Sequence, residues 1–161
     1  MKKIILLSGI PGSGKTYWAE SECMLFKNVV HISRDEIRFS MLKDGEDYFS
    51  KENAVFKEFI AQANAAINNP NIDGVILDAT HLNWVSRRKT LTHLNLDGCE
   101  VIVVVFDTPF EECWKRNDKR EGRARVPRGV IRRMFYQKTD PNTDPYEYKC
   151  VRTIKFEPEV K

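Results

Sequence analysis

The 161-residue sequence has no apolar run approaching the roughly 20 residues a membrane-crossing helix needs, so no helical span is encoded. Its four cysteines, at 23, 99, 113 and 150, include no Cys-X-X-Cys pair and no zinc-type histidine spacing. A zinc module is therefore excluded, and the four are expected as reduced core or surface thiols. No low-complexity tract, internal repeat or long linker occurs, and 42% hydrophobic with 30% charged residues is an ordinary globular balance. One compact domain, 1–161, is the expectation. A guanine-type Asn-Lys-X-Asp motif is missing, which weighs against a nucleotide switch, and so is the Asp-X-Asp of a phosphatase. The net charge of +3 is small, but residues 115–133 carry nine Lys or Arg against two acids, leaving −4 on the rest. The positive charge is concentrated in one segment.

Met1-Lys2-Lys3 ahead of Ile4 to Leu7 has the look of a leader, but Ser8-Gly9 and Gly12-Ser13-Gly14-Lys15 cut the apolar run short. It is predicted as a buried strand, and a cytoplasmic location follows as the expectation. Further strands are predicted at Val29 to Ile32, Val75 to Leu77, Val101 to Phe106 and Val151 to Phe156. The first four are nearly continuous in apolar residues, as parallel strands covered on both faces are. The last alternates, as an edge strand does. Helical stretches fall at about 14–25, 34–42, 50–68, 84–95, 109–121 and 127–138. This strand-helix alternation predicts an open α/β three-layer sandwich: a mostly parallel five-stranded sheet with helices on both faces, and a short basic lid at about 117–127.

Gly9-Ile10-Pro11-Gly12-Ser13-Gly14-Lys15-Thr16 fits G-x-x-x-x-G-K-[ST] between a strand and a helix. Glycines let successive backbone N–H groups turn inward onto phosphate oxygens, and the helix that follows adds its positive end. Lys15 is expected on the β- and γ-phosphates of ATP and Thr16 on Mg²⁺. Ser33 and Glu36 form a capping-box pattern, which puts Asp35 in the first turn of a helix and Arg38 on its face. A carboxylate there suits proton removal from an acceptor hydroxyl, and a guanidinium suits a neighbouring acceptor phosphate. Alternatively the two only pair with each other and the helix dipole. Val75-Ile76-Leu77-Asp78 has the pattern of a magnesium-holding carboxylate after a strand; Asp107 shares it, but Asp107-Thr108-Pro109 also reads as a helix start. Asp78 is the favoured metal residue. His81 is read as a residue that hydrogen-bonds its own loop. Between Gly122 and Pro127 the basic segment loses apolar periodicity, as a lid that brings Arg120 or Arg123 to the phosphates would.

With these residues in hand, the chain resembles the kinase domain of phage T4-type 5′-hydroxyl polynucleotide kinases, within the adenylate-kinase-like P-loop kinases. The resemblance covers nearly the whole chain: Lys2 to Leu6 with Pro11 to Lys15, Arg34-Asp35 with Arg38, Leu82-Asn83 with Arg87-Arg88, Phe106 to Pro109, Lys115-Arg116-Asn117, Lys119-Arg120 and Val126-Pro127. It implies ATP and Mg²⁺ as cofactors and the 5′-hydroxyl ends of DNA or RNA as acceptor. It implies Lys15, Asp35, Arg38 and Arg120 as catalytic residues, with Arg116, Arg120 and Arg123 joining Gly9 to Thr16 around the nucleotide. Ala79 stands where the phage pattern has an acid, and His81 where Asn is common. No membrane partner is expected, and homo-oligomers are compatible with the sequence. The competing expectations are a kinase for a nucleoside, nucleotide or sugar, and a nucleotide-dependent switch. A polynucleotide acceptor calls for a basic groove with aromatic residues, for which Trp84, Tyr48, Phe49 and Arg87-Arg88 are the candidates.

Overall fold

The computed structural model describes residues 1–158. Its strands are β1 (Lys2–Ser8), β2 (Val29–Ser33), β3 (Gly74–Asp78), β4 (Cys99–Asp107) and β5 (Cys150–Lys155). They form one sheet in the order β2-β3-β1-β4-β5, and every pairing is parallel. Because neighbouring strands run the same way, each connection must cross the sheet, and the helices supply the crossings. These are α1 (Lys15–Leu25), α2 (Arg34–Met41), α3 (Glu52–Asn68), α4 (Trp84–Thr92), α5 (Phe110–Asp118) and α6 (Arg128–Tyr136).

Alternation along each strand divides the core in two. Ile4, Leu6, Val75, Leu77, Val101 and Val103 pack with Val55, Phe59 and Ala63 of α3 and Leu91 of α4. Leu7, Ile76, Val104 and Phe106 face the other way, against Ala19 and Trp18 of α1. Each of these aliphatic side chains contributes about 1.5–3 kcal/mol by leaving water. β5 shows the exposed pattern of an edge strand, as its alternating sequence predicts. All six predicted helices form, and the ends differ by a few residues. α5 ends at Asp118, and the side chain of Asn117 in its last turn is bonded to lid backbone: its amide donates to the Val126 carbonyl at 2.7 Å and its oxygen accepts from the Val126 N–H at 2.9 Å. Asp107 does not cap α5, against the sequence reading; Pro109 occupies that position without a side-chain bond, and Asp107 closes β4 exposed to solvent.

From β1 the chain moves across β3 to β2, and from β3 it returns across β1 to β4. The connections after β1 and β3 therefore leave in opposite directions, and a crevice opens beyond their carboxyl ends. The loop after β1, the start of α2 and the end of β3 all converge there.

Candidate active site

The loop between β1 and α1 has the backbone its sequence requires. Gly12 and Gly14 have φ of 83° and 100°, a region L side chains rarely enter. A Cβ on Gly12 would also lie 2.7 Å from the Cys113 carbonyl oxygen, and one on Gly9 would lie 2.5 Å from Ser13 Oγ. The loop is held from outside: the Thr108 hydroxyl donates to the Ser13 carbonyl at 2.8 Å, and the Arg116 guanidinium donates to the Gly12 carbonyl at 3.1 Å. Lys15 curls over the loop, its ammonium donating to the Gly9 and Ile10 carbonyls at 2.9 Å each. Burial lowers its pKa below the ordinary lysine value, with Asp78 and Asp35 opposing the shift. Ser13 Oγ is buried and has no hydrogen-bond partner among the described residues. A glycine cradle, a lysine held by carbonyls alone and an orphaned hydroxyl together fit a polyphosphate chain.

Asp78, at the end of β3, is buried and accepts from the Thr16 hydroxyl at 2.8 Å on the same oxygen that lies 2.8 Å from His31 Nε2. Burial alone would raise its pKa. The bond to His31, the charge of Lys15 and the bond from Thr16 outweigh that and hold the carboxyl below its ordinary value. Among the described residues no three His, Cys, Asp or Glu side chains converge as a metal cage. The Thr16 hydroxyl and Asp78 carboxylate are the groups that fit Mg²⁺, an ion that takes few protein ligands and completes its shell with phosphate oxygens and water.

Asp35 and Arg38 come from the start of α2, where the Ser33 hydroxyl accepts from the Glu36 N–H at 3.2 Å. Arg38 is buried beneath Asp35, donating to that carboxylate, to the Tyr48 hydroxyl at 3.0 Å and to Glu52 at 2.7 Å. Its guanidinium also stacks 4.4 Å above the Tyr48 ring. Tyr48 donates to Asp35 at 2.6 Å; burial first, then the charge of Asp35, push its phenol up, so it stays a donor. Glu52 also accepts from Arg34 at 3.0 Å, while Arg34 Nε is buried and without a partner among the described residues. Asp35 itself stays 45% exposed on its side chain, open to the crevice.

These groups line two cavities. One, of about 180 Å³, lies among Arg34, Arg38, Tyr48, Phe49 and Glu52. The other, of about 550 Å³, lies over Gly12, Gly14 and Thr16 and reaches Arg116 and Arg120. Pro11, Lys15, Asp35 and Asp78 line both.

Sequence reasoning missed His31 and Glu52. His31 stands two residues before Ser33, so strand alternation puts both on one face of β2, a signal that could have found it. Glu52 meets Arg38 only through packing of α2 on α3, and no local spacing announces that. Arg87 does not line a groove. It is fully buried and forked onto Asp144 at 2.7 and 2.9 Å, with further bonds to the His81 carbonyl and Thr139. His81 is buried too: Nδ1 donates to the Leu7 carbonyl at 2.9 Å, so Nε2 accepts from the Thr90 hydroxyl at 3.0 Å. In the lid, Arg120 reaches the larger cavity, whereas Arg125 donates to the Arg120 and Asp118 carbonyls. The side chain of Arg123 lies outside the described residues.

The model of a family described as an AAA domain matches residues 4–141. A fungal RNA kinase structure aligns with a TM-score of 0.72 at 17% identity, over 99% of this chain and 76% of that one. The structure of a Pnkp1/Rnl/Hen1 RNA repair complex aligns with a TM-score of 0.70 at 28% identity, over 84% of this chain and 43% of that one. The chain thus spans less than half the length of that relative. A sugar kinase from Janibacter sp. aligns with a TM-score of 0.61 at 15% identity, over 96% of this chain and 86% of that one. The fold is that of a P-loop kinase.

Proposed function

The chain belongs to the AAA-domain family, and from that premise we propose that it transfers the γ-phosphoryl group of ATP to the 5′-hydroxyl of a DNA or RNA end. The observation that carries the reading is the pair of cavities with Lys15, Asp35 and Asp78 in their common wall. A donor compartment over a phosphate loop and an acceptor compartment beside a carboxylate are what direct transfer between two substrates requires, because hydrolysis needs no second compartment.

In this reading the Asp35 carboxylate takes the proton of the acceptor hydroxyl. The hydroxyl oxygen then bonds to the γ-phosphorus, and the bond to the β,γ-bridging oxygen breaks, its electron pair leaving on ADP. Arg38, braced by Glu52 and Tyr48, orients Asp35 and turns a guanidinium toward the acceptor's phosphate. Lys15 and Arg120 offset charge on the transferred group and Arg116 steadies the loop, while Arg123 is a second lid candidate. Mg²⁺, held by Thr16 and Asp78, would supply charge neutralisation on the phosphates. The 28% identity to a chain of an RNA repair complex supports a nucleic-acid acceptor.

A second reading, a kinase for a small acceptor, draws on the modest 180 Å³ of the acceptor cavity. The two separate in one experiment. With γ-labelled ATP and Mg²⁺, the protein is offered 5′-hydroxyl DNA and RNA oligonucleotides beside nucleosides and sugars. Label on the oligonucleotides is the expected result. Label only on a small molecule would replace the acceptor, and none on any would return weight to a nucleotide switch.

A further inference from the structure

The acceptor cavity does not end at Phe49, Thr80 and Met134. The same three residues form one wall of a further groove of about 260 Å³, completed by Leu82, Asn83, Ser86, Arg133 and Gln137. Its lining holds one cation and no carboxylate. Arg133 is exposed and has no ion-pair or cation–π partner among the described residues, whereas Arg128 and Arg132 of the same helix stack on Trp114. The acceptor cavity is different: its own arginines, 34 and 38, are already bonded to Glu52 and Asp35. Beyond the acceptor phosphate given to Arg38, a strand leaving that cavity meets a further cation, free of ion pairs among the described residues, at Arg133, beside an aromatic ring at Phe49 and amide side chains at Asn83 and Gln137.

We propose that this groove binds the second and third nucleotides of the acceptor strand, Arg133 contacting a phosphodiester and Phe49 a base or sugar face. This rests on the nucleic-acid reading of the acceptor given above. Charge complementarity and continuity with the acceptor cavity select a strand as the occupant, since a small acceptor ends before the groove begins. The site is then what makes an oligonucleotide a better acceptor than a lone nucleotide.

The test is a length series: KM for a nucleoside 3′-phosphate, a dinucleotide and a trinucleotide, measured for the wild-type chain, Arg133→Gln and Arg152→Gln. Arg152, exposed on β5 away from the groove, controls for the loss of one charge. The wild type is expected to favour the trinucleotide by about tenfold, with Arg152→Gln preserving that ratio. In Arg133→Gln the ratio collapses toward unity and the salt slope of oligonucleotide KM falls by about one. An unchanged ratio in Arg133→Gln, or oligonucleotide phosphorylation without length dependence in the wild type, would overturn the groove while leaving the kinase reading intact. A wild-type chain that phosphorylates only small molecules would instead remove the strand itself, and the groove's occupant with it.

Discussion

The P-loop glycines and His81 show how single residues are constrained in different ways. At Gly12 the positive φ and the 2.7 Å approach of a Cβ to Cys113 act together. Gly12→Ala is expected to weaken ATP binding at least tenfold with little loss of helix content, readable by nucleotide titration beside far-UV circular dichroism. His81 has no such motif around it, yet burial pulls its pKa down to about 4 against an ordinary 6.5. Arg34 and Arg87 push it the same way; the Leu7 carbonyl and Asp78 oppose. A depressed histidine pKa means the unfolded chain binds the proton first. Stability from this group is therefore complete above pH 6.5 and is lost as pH falls toward 4, by about 3 kcal/mol in all. Urea unfolding at intervals from pH 7 to pH 4 should show that slope, and His81→Gln should flatten it. The sequence reading of His81 as bonding its own loop is corrected: its partners are the Leu7 carbonyl of β1 and the Thr90 hydroxyl of α4, which packing and not local spacing brings to it. Its charge state was not legible, since that depends on burial by residues distant in sequence.

Elements carry the site because strand ends and helix starts coincide in space. Strand and helix identities were readable from apolar runs and turn residues, and the phosphate loop from its glycine spacing alone. What local pattern could not give was pairing across elements. Arg87 looked like an available surface cation next to Arg88, yet tertiary packing forks it onto Asp144, where Tyr148 also donates at 2.7 Å. This pair ties α4 to the segment leading into β5. Arg87→Leu would strand a buried carboxylate and is expected to cost about 3–5 kcal/mol, seen as a lower urea midpoint. The equivalent change at exposed Arg88 should stay within about 0.5 kcal/mol. The lid hinges on a comparable contact. Asn117 joins the end of α5 to Val126, so Asn117→Ala should loosen residues 119–125 and raise the KM for ATP more than that for the acceptor.

For the whole molecule, sheet order is the decisive property. The order β2-β3-β1-β4-β5 brings Lys15, Asp35 and Asp78, which are distant in sequence, to one crevice. The sequence carried the class of this architecture, because nearly continuous apolar strands alternating with helices pack in few ways. It did not carry the partition of the crevice into two cavities, whose common wall is made by Pro11, Lys15, Asp35 and Asp78 from three separate strand ends and helix starts. In the proposed mechanism that partition makes Asp35 the point where donor and acceptor meet. The direct measurement is single-turnover phosphoryl transfer to a 5′-hydroxyl oligonucleotide, with ATP affinity determined in parallel, for the wild type and Asp35→Asn. Transfer should fall by about 10²–10⁴ while ATP affinity stays within about twofold. Transfer at the wild-type rate, or a loss of transfer matched by an equal loss of ATP binding, would contradict the role given to Asp35.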